Sequence, residues 1–200
     1  MKLTKEQRKH LWDLMYVAHG VDDPEEWRRV REAMLPQDLV KKYEDATEIE
    51  EKKIMTSEGE VKIHIVHPKN RTEKTAAMVH VYGCGFWLPH CYDWALFCRR
   101  IAADLGIVVV DIFHSLTETV EFPVPLYECY DVAKWTFAHA DELNIDATKI
   151  SICGHSSGGG IVAGVCLLAN MTKEIKFAQQ ILVYPGVDMY SRYENGAERT

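Results

Sequence analysis

The sequence lacks the features that would place it in a membrane or on a nucleic acid. No apolar run reaches the ~18 residues of a membrane-spanning helix, and Met1–Glu6 leads into charged residues rather than an apolar leader segment. There is no basic tract, and 23 Lys and Arg against 30 Asp and Glu give a net charge of -7. Nucleic acid and anionic membrane surfaces are poor partners for such a chain. The six cysteines, at positions 84, 91, 98, 129, 153 and 166, include no C-x-x-C pair, so the spacing offers no zinc site. They read as reduced, mostly buried thiols of a cytoplasmic protein. No lysine follows the glycine-rich stretch at 158–160, which argues against a phosphate-binding loop. No metal or cofactor is expected. The last absence concerns histidine: all nine lie before position 156.

What is present is a chain of 200 residues with 47% hydrophobic and 26% charged side chains, enough for one domain with a real core. Residues 1–50 read as a charged helical segment. Thr4 and Gln7 fit a capping box ahead of Leu11, Met15 and Ala18, with Gly20 as a stop. A second helix opens at Asp23 and Pro24, carries Trp27, Val30 and Met34, and ends at Pro36. This hairpin reads either as a surface element or as a lid over a pocket.

From residue 51 to 200 strand and helix patterns alternate. Strands are expected at 53–55, 61–67, 76–82, 107–112, 149–153 and 180–184, and helices at 92–105, 126–140 and 157–170. Ile107–Ile112 is a continuous apolar run, the mark of a strand covered on both faces. The alternation implies an α/β fold with a mostly parallel sheet.

Two stretches carry chemistry. Gly154-His155-Ser156-Ser157-Gly158 follows a strand and opens a helix, the context of a nucleophile elbow. Such a turn forces Ser156 into a strained backbone and projects its hydroxyl from the sheet. Gly154 and Gly158 leave room for the tight turn, and the helix N-terminus points free N–H groups at the site. Upstream, Tyr82-Gly83-Cys84-Gly85-Phe86-Trp87 also follows a strand. As a dinucleotide fingerprint it fails, because Leu88 stands where a third glycine is needed. As an oxyanion loop it works, because small residues let backbone N–H groups approach a developing alkoxide. His155 is adjacent to Ser156, but its side chain should point away from the hydroxyl. Cys84 is a weaker candidate nucleophile.

These two stretches, about 70 residues apart, resemble the hormone-sensitive-lipase-like branch of the α/β-hydrolase family from about Val61 to Asp188. Arg99, Val110-Asp111, Phe122-Pro123, Asp131, Trp135 and Leu182-Val183-Tyr184-Pro185 add to the likeness. The N-terminal helices are similar to that family's cap. The resemblance implies a serine hydrolase acting on small-molecule carboxylic esters. Ser156 is then the nucleophile, and the N–H groups of Cys84, Gly85 and Ser157 form the oxyanion hole, with Gly83 giving the loop room. Phe86 and Trp87 would line the substrate pocket or pack in the core.

Three residues depart from the family pattern. Tyr82 replaces its histidine, Cys84 a glycine, and His155 the acid before the nucleophile. The family's triad acid and histidine follow the serine, and the 44 residues after Ser156 hold no histidine. The expectation is therefore strands one to six of the fold, with the last two strands and the rest of the triad missing. A catalytically inactive binding protein or a truncated remnant fits the same absence. Self-association through an exposed sheet edge at the sixth strand is expected.

Overall fold

The computed structural model describes residues 23–187 except Asn70. The helix expected around Leu11, Met15 and Ala18, and Asp188 with the polar stretch 192–200, lie outside the described residues. Five helices are described: α1 Pro24–Ala33, α2 Gln37–Ala46, α3 Tyr92–Leu105, α4 Val124–Ala138 and α5 Ser156–Thr172. Six strands are described: β1 Thr47–Thr56, β2 Gly59–Pro68, β3 Thr75–Val81, β4 Val108–Phe113, β5 Ile145–His155 and β6 Gln179–Val183.

Asp23 caps α1 by accepting from the Glu25 N–H, and the next residue, Pro24, has no N–H to leave unsatisfied. The helix carrying Trp27, Val30 and Met34 was expected to end at Pro36, and α2 beyond it was not expected as a separate helix. Pro36 lies between them as the boundary residue of α2. β1 was expected at 53–55 only, but it runs ten residues against β2. Its charged alternation, Glu48 to Lys53, marks a largely exposed edge strand that hydrophobicity alone misses. The boundary drawn at residue 50 falls inside β1.

The sheet order is β1-β2-β4-β3-β5-β6. β1, β2 and β4 pair antiparallel, whereas β4, β3, β5 and β6 run parallel. Period-two alternation sends two sets of side chains to opposite faces. Ile63, Ile65, Val79, Val81, Val110, Ile112, Ile150 and Ile152 join the main core with Cys129, Val132, Val162 and Val165 of α4 and α5. On the other face Val66, Met78, Val109 and Cys153 pack under Cys98 and Ala102 of α3. α1 and α2 lie against α3.

The chain reverses its direction of travel across the sheet at β3. One neighbour of β3 is β4 and the other is β5, so the loops leaving β3 and β5 emerge side by side at one end of the sheet. Open α/β sheets hold their ligands at such a point.

Ile152 is fully buried at the centre of the main core. Ile152→Ala is expected to lower unfolding free energy by about 2–5 kcal/mol, read from urea titration. A loss under about 1 kcal/mol would place this strand outside the tightly packed core.

Candidate active site

Ser156 stands at the junction of β5 and α5 with φ at +50°, a left-handed value that costs a non-glycine residue about 1–3 kcal/mol. A side chain at Gly154 would run into the Gly158 carbonyl, and one at Gly158 into the carbonyls of Val81 and Tyr82. The turn is thus pressed against the end of β3. At Gly83 an added Cβ would lie 2.6 Å from the His155 carbonyl oxygen, so the loop after β3 and the turn after β5 touch backbone to backbone.

The loop continues through Gly85 at φ +60° and Phe86 at φ +70°. Its curl is fastened by the Leu88 N–H on the Cys84 carbonyl and by the Thr117 N–H on the Phe86 carbonyl. Phe86 packs against the main core, while Trp87 is 42% exposed. The structure brings Ser156, Gly83, Cys84, Gly85 and Ser157 to one corner, with Phe86 and Trp87 on the same loop.

One expected donor already has a partner. The Cys84 N–H donates to the Ser157 hydroxyl at 2.9 Å. The Cys84 thiol lies 3.8 Å from that hydroxyl and 4.0 Å from His114 Nε2. Burial pushes this thiol above its ordinary value, so it is not held as a thiolate.

Among the described residues no side chain hydrogen-bonds the Ser156 hydroxyl. The ring nitrogens of His80, His90, His114, His139 and His155 engage other partners. His155 does turn away from the serine hydroxyl. Its ring lies among His80, Trp94, Phe97 and Tyr184.

Sequence reasoning missed a polar row across the α3 face of the sheet. His64 and His80 each pair in register with Asp111, on either side of it. Asp111 Oδ1 is 2.8 Å from His80 Nδ1, and Oδ2 is 2.7 Å from His90 Nε2. His80 Nε2 is 3.2 Å from His155 Nδ1. Burial alone would raise the Asp111 carboxyl, but His90 and His80 overcome it and hold the group below the ordinary carboxylate range. The available signal was strand parity: residues 64, 80, 111 and 155 share the face of Val66, Met78, Val109 and Cys153.

His80, Cys98 and Asp111 present donor atoms within 4.8 Å of one another, a zinc-like set by chemistry. Two ligands on tetrahedral zinc with ~2.0 Å bonds are about 3.3 Å apart. The 2.8 Å between His80 and Asp111 is instead the length of a shared proton. As placed, the set fits a hydrogen bond rather than an ion.

A sequence model of the α/β-hydrolase fold matches residues 78–200. The chain belongs to this family. It is similar to the arylesterase of Saccharolobus solfataricus, 31% identical over 150 residues, covering 74% of this chain and 48% of that protein. Mouse hormone-sensitive lipase is 29% identical over 102 residues, 51% of this chain and 13% of the lipase. Among solved structures, the hyperthermophilic esterase of Pyrobaculum calidifontis superposes with a TM-score of 0.78 at 30% identity, covering 94% of this chain and 60% of that one. A bacterial heroin esterase gives 0.75 at 30% identity, over 83% and 53%. The chain spans about half the length, or less, of these curated relatives.

His155 is only 6% exposed. Burial, with His80 acting in the same direction, lowers its pKa from 6.5 to about 4. The unfolded chain takes up that proton near the ordinary value and the folded chain does not, so stability falls as pH drops from 6.5 toward 4. Burial shifts His64 and His114 the same way. The urea midpoint is expected to fall across that window, with a shallower slope in His155→Asn. A flat midpoint would mean that these rings protonate freely in the folded protein.

Proposed function

We propose that this α/β-hydrolase acts on carboxylic esters of small molecules, with Ser156 as the nucleophile. The observation that carries the reading is Ser156 at φ +50° on a strand-to-helix turn packed against the loop after β3. Structural relatives at 30% identity are esterases, which supports the substrate class. In this reading Ser156 Oγ attacks the ester carbonyl carbon, its proton passes to solvent water, and the carbonyl π electrons move onto oxygen. The N–H groups of Gly85 and Ser157 receive that charge, joined by Cys84 once its N–H leaves the Ser157 hydroxyl. Collapse of the adduct expels the alcohol oxygen, which takes up a proton, and leaves an acyl-serine for water to hydrolyse.

Among the described residues the serine has no base. No described side chain accepts the Ser156 proton, and no histidine follows position 155. These 200 residues alone are therefore expected to turn over a short p-nitrophenyl ester slowly, at the residual rate that binding and an oxyanion hole provide. The same observation favours a second reading, a domain of this fold that binds an ester-like ligand without turning it over. Saturable binding with no acyl-serine would select it.

The test of the nucleophile is phosphonylation by a fluorophosphonate probe. The serine oxygen bonds to phosphorus, fluoride leaves, and the hydroxyl proton passes to buffer. The adduct is expected on the peptide carrying Ser156 by mass spectrometry and is expected to vanish in Ser156→Ala. Equal labelling of that variant would refute the assignment.

We also propose self-association through the edge of β6 that has no partner strand among the described residues. β6 pairs with β5 on one side, and Ile181 and Leu182 are 40% and 37% exposed. An apolar unpaired edge templates pairing with another chain. Light scattering after size exclusion is expected to give a mass above 22.9 kDa, reduced by Ile181→Lys. A monomer at all concentrations would rule this out.

A further inference from the structure

Three strands and the loop before α3 deliver Asp111, His80, His155 and His90 to one buried spot directly behind Ser156. Asp111 and His80 are 0% exposed and His155 is 6% exposed. Asp111 accepts from His90 Nε2–H through one oxygen and from His80 Nδ1–H through the other. With Nδ1–H given to Asp111, neutral His80 has only the Nε2 lone pair to offer, and it faces His155 Nδ1 at 3.2 Å. In that form His155 Nδ1–H is the donor. The chain of bonds crosses β4, β3 and β5 and ends on the residue that precedes Ser156. Trp94 and Phe97 of α3 close over it, with ring centres 5.0 and 4.9 Å from His155.

We infer that Asp111, His80 and His155 form a hydrogen-bonded strut that positions the Ser156 turn from behind. The inference rests on the reading of Ser156 as nucleophile. His155 and His80 are positioning residues, since the proton of the serine hydroxyl never reaches them. The physical reason for the strut is the left-handed backbone at Ser156, which relaxes unless its flanks are held. From the helix side, the Gly186 N–H donates to the Ser156 carbonyl at 2.9 Å. From the strand side, the fixed ring of His155 supplies the restraint. Inside an apolar shell each bond in this chain is obligatory, because a ring nitrogen without its partner has no water to turn to.

Two variants separate positioning from packing. His155→Phe keeps a ring against Trp94 and Phe97 but gives His80 nothing to accept. His155→Asn loses ring volume but places an amide N–H near the former Nδ1. We expect His155→Phe to slow fluorophosphonate labelling of Ser156 on the order of tenfold to a hundredfold, the scale of a small misplacement of a reacting group. Amide hydrogen exchange at Ser156–Gly158 should speed up in the same variant. His155→Asn should melt lower than the parent, yet label and exchange at nearly the parent rate. Asp111→Leu, which removes the acceptor that fixes the His80 tautomer, should behave like His155→Phe. Nitrogen-15 spectra of the parent should show protons on Nδ1 of both His80 and His155. The strut is overturned if His155→Phe labels and exchanges like the parent, if His155→Asn is as impaired as His155→Phe, or if both rings carry their proton on Nε2. Should the parent itself fail to label, the nucleophile reading falls, and amide exchange with the tautomer spectra still decides the strut.

Discussion

The parallel pairing of β3 with β5 is the constraint on which the site depends. It sets Val81 opposite Gly154 and His80 opposite Cys153, so that both strands end at one level. Whatever leaves β3 must then share space with whatever leaves β5. The space is so small that Gly158 lies on the carbonyls of Val81 and Tyr82, and Gly83 on that of His155. Backbone carbonyls cannot rotate out of the way as a side chain can. The glycines are therefore dictated by strand pairing before any chemistry is considered, and the Ser156 side chain lies beside Gly83 as a consequence.

The same pairing explains the buried polar row. Each strand adds one side chain to each face at every second residue, and adjacent strands bring those positions into line. The α4–α5 face is apolar along its length. The α3 face is apolar at Val66, Val109 and Met78 and polar two residues away at His64, Asp111 and His80. Burying a carboxylate here would be prohibitive if it were alone. Two imidazole N–H donors to its separate oxygens offset the loss of water and hold it ionised.

Most of the fold was legible in the sequence because hydrophobic period reports which face is buried. The helix at 92–105 and the strands at 61–67 and 107–112 stand within a residue or two of their expected ends. β1 was cut short because its outward residues are charged and its inward ones few, so the ten-residue ladder to β2 left little apolar signal. β5 was begun four residues late because Asp146, Thr148 and Lys149 form a local hydrogen-bonded and charged knot that reads as a turn. The glycine pattern around Ser156 was legible because steric demands fix residue type. The His80–Asp111–His155 row was not, because it is a property of strand register. No single segment contains it, and a lone histidine in an apolar strand carries no sign of its partner.

Cys84, a departure from the family pattern, and Ser157 act on each other rather than separately. A bare oxyanion loop keeps its amides unpaired and aimed at the place where charge develops. Here the Ser157 hydroxyl occupies the Cys84 amide at 2.9 Å. A donor of this kind contributes roughly 2.7–4 kcal/mol when it is free to act. Breaking an existing neutral hydrogen bond first costs about 1 kcal/mol. The displaced hydroxyl is not lost, because it stays in the same corner and can turn its own proton toward the anion. The cost of the serine is thus partly returned as a rotatable donor, while the Cys84 thiol, raised by burial and lying 4.0 Å from His114, fills space that a glycine would leave to substrate. In the proposed reading the hole has one fixed amide pair, of Gly85 and Ser157, and one exchangeable partner at Cys84, so its anion affinity depends on how easily Ser157 turns.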